Sequence, residues 1–333
     1  MTPSRFKVVL VGSDLPPAPR WVSERLAEHS IDFVEHLCIN SDEVAVAGHD
    51  ADAVWVAGGS RVITADVLPR LPHCAAILRT GSGTDNVPVE AATRLGIVIG
   101  NTPEAMMHAV AEHTLGLLFV VARQIAFQDR LVRQGIWEPK RAWPRRSFRG
   151  RTLGLVGFGR IGRLVAKKAS GLEMNVLVWD PLLNGSADDI GVAKVELSQL
   201  LGESDFVSLH VPLVEGTRHL IGERELRTMK PEAILLNTSR GPIIDERALV
   251  RALQEGWIAA AGLDVFEVEP LAPDSPLCRL DNVVLTPHVG SYSDLYVENS
   301  WQDSVRTLIN IARDGKPLWW VNPGARDRKV ATR

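Results

Sequence analysis

The chain has 333 residues, 45% hydrophobic and 23% charged, which is length for about two domains and too apolar a composition for a disordered chain. A formal charge of −3 excludes a general electrostatic attraction to nucleic acid or anionic lipid. The three cysteines, Cys38, Cys74 and Cys278, stand far apart, without the spacing of a zinc site or a secreted disulfide framework, so reduced thiols in the cytoplasm and no metal are expected.

In chain order, residues 7–11 read as a short buried strand, too brief an apolar run for a signal peptide. Residues 21–29 have helical spacing, and residues 53–57, 75–78 and 97–99 read as further buried parallel strands. Thr102, Pro103 and Glu104 form a cap and first turn, after which an apolar helix runs through Val110, Leu117, Leu118 and Val121. Its most apolar stretch, residues 115–122, falls short of the roughly 20 residues a bilayer demands, so no membrane partner is expected. Residues 140–151 hold six cations with Trp143 and Phe148 among them, superficially a single-strand-binding surface. Without a recognisable module around it, this run reads as a connector or oligomer loop, and no nucleic-acid partner is expected.

A second, more regular series of strands follows at residues 153–156, 175–179, 205–210, 233–237, 259–263 and 282–285, which fits one doubly wound domain. A last helix places Val297, Trp301, Val305, Leu308 and Ala312 on one face and stops at Gly315, with Pro317 beyond.

The most informative motif is Gly157-Phe158-Gly159-Arg160-Ile161-Gly162, directly after a predicted strand and opening a predicted helix. Its first glycine allows a tight turn, its second lets backbone approach a pyrophosphate, and its third permits close packing of helix on strand. Asp180 ends the next strand, where an acid accepts hydrogen bonds from the adenosine ribose. Such a carboxylate repels a 2′-phosphate, and Pro181, Leu182 and Leu183 after it bring no cation, so NAD is the expected cofactor. The rival reading has Asp180 merely capping the next turn. His108 and His113, five apart, miss helical zinc spacing.

The motif lies in mid-chain, behind a complete α/β segment, and here the chain resembles the D-isomer-specific 2-hydroxyacid dehydrogenases from about Ala53 to Pro323. The resemblance is carried by residues 79–86 (Arg-Thr-Gly-Ser-Gly-Thr-Asp-Asn), 101–103, 110–112, the glycine motif, 210–213 (His-Val-Pro-Leu), 237–241 (Asn-Thr-Ser-Arg-Gly), 262–266, Glu269-Pro270 and 286–290 (Thr-Pro-His-Val-Gly). The middle of the chain is most similar to the phosphoglycerate dehydrogenase branch, without its C-terminal regulatory domain.

The resemblance implies an α/β fold of two domains: a Rossmann-type doubly wound coenzyme domain, residues 102–292, inserted into a flavodoxin-like parallel α/β substrate domain, residues 1–101 and 293–333. It implies hydride transfer between NAD(H) and a small D-2-hydroxy or 2-oxo acid such as glyoxylate, hydroxypyruvate or a phosphoglycerate-like acid. Arg240 would grip the substrate with a bidentate guanidinium, and backbone N–H groups at Ser82 and Gly83 would complete the carboxylate site. His288 would donate the proton and Glu269 would stabilise its charged form. His210 is a rival histidine at a strand end. The cofactor would be held by Gly157, Gly159, Arg160, Ile161, Gly162, Asp180, His210, Val211, Pro212, Thr217, Thr238, Ser239, Arg240, His288 and Gly290, with Asp264 on the nicotinamide carboxamide. A homodimer through the coenzyme domain is implied, with residues 125–151 as the arm.

Glu269 stands where formate dehydrogenases of this fold have glutamine, which argues against formate. Gly58 stands where phosphoglycerate dehydrogenases typically carry an arginine for the substrate phosphate, a loss that Arg61 or Arg79 would have to cover. A second class of reading also stands. Co-repressors of the same superfamily keep the arginine, glutamate and histidine but act as NAD(H)-sensing, partner-binding proteins.

Overall fold

The computed structural model describes residues 5–12, 17–137, 143, 145–183 and 192–325. The chain divides into two compact units, one of Met1–Met106 with Ser293–Arg333 and one of Met107–Tyr292. The first unit has strands β1 (Phe6–Gly12), β2 (Ile31–Leu37), β3 (Ala53–Val56), β4 (Ala76–Arg79) and β5 (Val98–Asn101), with helices α1 (Arg20–Glu28), α2 (Ser41–Ala47) and α3 (Val89–Arg94) between them. All pairs are parallel and the order is β2-β1-β3-β4-β5, the flavodoxin-like arrangement. Strands β3 and β4 are buried along their whole length and read from sequence as apolar runs. Strand β2 leaves no strand signal in the sequence, because it lies at the sheet edge, buries only Ile31, and interrupts its apolar residues with Asp32, Glu35 and His36.

The second unit opens with α4 (Glu104–Arg123), whose first residues still belong to the first unit, and α5 (Ile125–Arg133). Then come β6 (Thr152–Val156), α6 (Arg160–Ser170), β7 (Asn175–Trp179), β8 (Ala193–Lys194), α7 (Leu197–Glu203), β9 (Phe206–Leu209), α8 (Glu223–Thr228), β10 (Ile234–Asn237), α9 (Glu246–Glu255), β11 (Ala260–Leu263) and β12 (Val283–Leu285). The order β12-β11-β10-β9-β6-β7-β8 is parallel throughout. It is a doubly wound sheet with its switch point between β6 and β9, where crossovers leave in opposite directions and open a crevice at the strands' carboxyl ends. The six expected strands become seven, since β8 is only two residues long and exposed, too short to register as a pattern. Alternate strand residues feed two cores, Ile234 and Leu236 on one face and Leu235 on the other, as a period of two requires.

By length and composition alone helix α4 is apolar enough to cross a bilayer, since its apolar residues extend beyond 115–122. In this fold Ala111, Leu117, Leu118 and Val121 are buried with Phe206, Ile234 and Leu236 of the sheet. Trp143 and Phe148 join the same core, so the aromatic residues of the basic run are not a stacking surface. Arg146 pairs with Glu232, Arg149 with Glu173 and Arg151 with Asp205, while Lys140 and Arg141 lie outside the described residues.

Helix α10 (Tyr296–Asp314) returns the chain to the first unit and ends at Gly315, whose φ of 69° is the left-handed cap that glycine adopts without cost. Val305, Leu308 and Ile311 are buried against the first sheet, but Val297, expected on that face, is exposed in the first turn. Trp301 meets the buried Trp55 edge to face at 5.2 Å, a pairing worth about 0.5–1.5 kcal/mol beyond its buried area. The Trp55 indole N–H donates to Thr80 Oγ1 at 2.6 Å, so a core anchor also braces the loop after β4.

Candidate active site

Strand β6 delivers the chain into the glycine motif at the switch point. Gly157 has φ +99°, and a Cβ there would lie 2.7 Å from the carbonyl carbon and oxygen of His210. A Cβ on Gly162 would lie 2.5 Å from the Gly157 oxygen. Both glycines are therefore required by close backbone approach within the fold itself. Gly159 differs, since a Cβ there would meet nothing within 4 Å, leaving its face open beside the first turn of α6. The N–H groups of that turn carry the positive end of the helix dipole. This cradle fits a dinucleotide pyrophosphate.

Asp180 follows β7 and uses both oxygens on the chain: Oδ2 accepts from the Phe158 N–H and Oδ1 from the Leu182 N–H, each at 2.8 Å. It therefore ties the glycine loop and caps its own turn, while each oxygen keeps further acceptor capacity. Residues 181–183 bring no cation of their own, but Lys194 on β8 donates its Nζ to the Leu183 carbonyl at 2.6 Å.

His210, just beyond β9, has Nε2 2.9 Å from Ser208 Oγ, and burial pushes its pKa down to about 4. It is neutral near pH 7, which disfavours it as the proton donor. Val211 is buried, and the loop that follows is closed by Thr217, whose hydroxyl donates to the Pro212 carbonyl at 2.6 Å and accepts from the Val214 N–H at 2.9 Å. Thr238 is buried with its Oγ1 2.7 Å from Thr114 Oγ1 on α4.

The turn after β10 is built around the buried Asn237. Its Oδ1 accepts from the N–H and hydroxyl of Ser239, both at 3.0 Å, and its Nδ2 donates to the Arg240 carbonyl at 2.9 Å. Arg240 Nη1 donates to the Ser239 carbonyl at 2.7 Å. Next to it, Gly241 is pressed against the turn beyond β11, so that a Cβ would sit 1.9 Å from the carbonyl carbon and oxygen of Phe266. That second turn carries Glu269, whose Oε1 accepts from the Phe266 N–H at 3.1 Å and whose Oε2 lies 2.7 Å from His288 Nδ1. Burial pushes the Glu269 carboxyl up, but the hydrogen bonds from His288 and Phe266 and the charges of His288 and Arg240 outweigh it and hold the group below its usual value. Gly241→Ala should therefore destabilise the protein by about 3 kcal/mol, the upper end of overpacking costs, because backbone and not a side-chain tip must move. A urea midpoint equal to that of the unmodified protein would contradict this.

His288 lies on the loop after β12 with φ +53°, a left-handed conformation that a non-glycine residue keeps only where its surroundings hold it. The holder is Asp264, 1% exposed. Its backbone carbonyl accepts from the His288 N–H at 2.8 Å, and its carboxylate accepts from the Thr286 hydroxyl at 2.6 Å, the Val289 N–H at 3.0 Å and the Gly290 N–H at 2.8 Å. Arg240, Glu269, His288 and Asp264 are thus brought together by three turns at the carboxyl end of one sheet. His113, Asn237, Thr286 and Gly241 support them; sequence reasoning assigned none of these a site role, and for His113, 173 positions from Thr286, no local signal existed.

Ser82 and Gly83 belong to the first unit. The Ser82 carbonyl accepts from Asn101 Nδ2 at 2.7 Å, and the Gly81 N–H donates to Thr102 Oγ1 at 2.7 Å. Arg79 is buried beneath this loop, with its Nε on Asn86 Oδ1 at 3.1 Å; Asn86 Nδ2 in turn clamps the carbonyls of Gly58 and Ser60 at 3.0 and 2.6 Å. The exposed Arg61 lies 3.8 Å from Asp85. Among the described residues no cluster of histidine, cysteine, aspartate and glutamate could hold a metal.

Residues 115–290 match the family "D-isomer specific 2-hydroxyacid dehydrogenase, NAD binding domain". A glyoxylate reductase of Korarchaeum cryptofilum is 48% identical over 69% of this chain and 71% of its own. A D-3-phosphoglycerate dehydrogenase of Methanocaldococcus jannaschii is 40% identical over 82% of this chain, which spans only 53% of that protein. Among solved structures, an NADPH-dependent glyoxylate/hydroxypyruvate reductase of Sinorhizobium meliloti, in complex with NADP and malonate, superposes with a TM-score of 0.84 at 30% identity, covering 97% of this chain and 99% of that one.

Proposed function

The chain belongs to the D-isomer specific 2-hydroxyacid dehydrogenase family, and on that premise we propose that it reduces small, unphosphorylated 2-oxo acids, glyoxylate and hydroxypyruvate, with NADH as the preferred cofactor. The observation that carries the reading is the 2.7 Å contact between Glu269 and His288, with Arg240 on the adjoining turn. Arg240 pairs with the substrate carboxylate and ketone oxygen, a fork-shaped task for guanidinium. His288 gives its proton to the nascent alkoxide while Glu269 compensates the imidazolium. When bound, the nicotinamide supplies the hydride. The cofactor is assigned to the glycine cradle, Asp180, the loop from His210 to Thr217, Thr238, Ser239, Asp264 and Gly290. An unphosphorylated substrate is favoured because Arg79 is 8% exposed and braces its own loop, while Gly58 brings no cation.

NADH is favoured by the charge of Asp180 close to the ribose, with Lys194 acting in the opposite sense. The test is initial rates with glyoxylate, hydroxypyruvate and phosphohydroxypyruvate, each with NADH and NADPH. Turnover of the first two, with kcat/KM for NADH at least about tenfold above NADPH (about 1.4 kcal/mol) and a narrowed ratio in Asp180→Ser, supports the reading. Equal use of both cofactors sinks the role of Asp180, and no turnover of any 2-oxo acid returns the partner-binding reading. A homodimer through the coenzyme unit is assigned to the exposed apolar side chains of Phe119 on α4, Ile125 and Val132 on α5, and Trp137. A cytoplasmic location is assigned from the three unbridged cysteines.

A further inference from the structure

We propose that His113 is a positioning residue for His288: with Thr286 and Asp264 it completes a hydrogen-bond set that fixes the loop carrying the proton donor. The inference rests on the reading of His288 as that donor. His113 stands on α4, 173 positions before Thr286, and its Nε2 lies 3.0 Å from Thr286 Oγ1 and 3.3 Å from Asp264 Oδ1.

The protons in this set can be assigned. Burial raises the Asp264 carboxyl, but the donors His113, Thr286, Val289 and Gly290 outweigh it and keep the group below its usual value, so near neutral pH it is a carboxylate that only accepts. The Thr286 hydroxyl at 2.6 Å must then donate to Asp264. Toward His113 the Thr286 oxygen is left as an acceptor, so the proton between them sits on His113 Nε2. His113 is thus a donor to the Thr286 oxygen, 3.3 Å from a carboxylate that also holds the N–H groups of Val289 and Gly290.

Packing points the same way. A Cβ on Gly290 would lie 2.8 Å from Asp264 Oδ2 and 3.4 Å from the His113 ring, so the loop is pressed against both side chains. His288 meanwhile keeps its left-handed backbone between two anchored neighbours, with its own N–H on the Asp264 carbonyl. Removing the His113 donor leaves the Thr286 oxygen without that hydrogen bond and loosens its hold beside Asp264. The loop then relaxes out of the strained conformation, and the imidazole leaves its register with Glu269.

The test compares His113→Leu, which deletes the donor, with His113→Gln, whose side-chain amide restores an N–H, in the full-length protein reducing whichever 2-oxo acid the unmodified enzyme uses best. For His113→Leu we expect kcat to fall at least about tenfold while KM for NADH stays within about twofold. We also expect the deuterium isotope effect on kcat with 4-deuterated NADH to rise. His113→Gln should recover most of the rate. A folded His113→Leu protein with unchanged kcat and isotope effect overturns the proposal. If that variant does not fold, Thr286→Val, which removes the hydroxyl between the two side chains, should show the same split, and unchanged kcat there overturns it equally. Undiminished turnover in His288→Ala would reject the donor assignment on which the proposal depends. An inactive His288→Ala beside a fully active His113→Leu would reject the His113 role alone.

Discussion

Replacing His288 by alanine should lower kcat for 2-oxo acid reduction by about 10²- to 10⁴-fold, the range that general acid catalysis contributes. NADH binding, followed by fluorescence, should stay close to that of the unmodified protein, because the dinucleotide cradle is built at the other end of the crevice by β6, α6 and Asp180. A comparable loss of NADH affinity would mean that the substitution had damaged the fold. Glu269→Gln gives the complementary result. Reduction requires the imidazolium, and removing the carboxylate 2.7 Å from its ring takes away the charge that compensates it, so kcat should fall while NADH binding holds. Because the Glu269 carboxyl is held below its usual value in the fold, its contribution to stability is present above the unfolded value of about 4.3 and is lost as pH falls through the folded one.

Arg240→Lys should lower kcat/KM for the oxo acid by about 10- to 100-fold even though the charge is kept. An ammonium cannot present two parallel N–H donors, and the loss of one charge-assisted hydrogen bond costs about 1.5–3 kcal/mol. It would also lack the reach that lets Arg240 rest on the Ser239 carbonyl. The thermal midpoint should change little, since the turn is held from within by Asn237 and Gly241. A lysine variant of full activity would remove Arg240 from the substrate site.

Much of this was legible because the physics is local. The glycine motif is six consecutive residues whose conformational demands, a positive φ at Gly157 and backbone contact at Gly162, follow from chain geometry, and strands buried on both faces announce themselves as apolar runs. Strand β2 was not legible, since an edge strand that buries one residue has no such run. Long-range polar contacts were equally hidden: His113 meets Thr286, and Lys194 reaches back to Leu183, through strand order and not through sequence spacing. Gly241 was visible as a motif letter, but its reason, the Phe266 backbone that a Cβ there would strike at 1.9 Å, exists only in the folded sheet.

The central claim is that Arg240, Glu269 and His288 form the reducing site. It is tested most directly by a crystal structure of the protein with NAD and oxamate, an unreactive analogue of a 2-oxo acid. The account predicts the analogue's carbonyl oxygen within about 3.2 Å of His288 Nε2, with the Arg240 guanidinium on its carboxylate and Nδ1 still paired with Glu269. An ordered analogue bound away from both Arg240 and His288, with the histidine facing elsewhere, would contradict it.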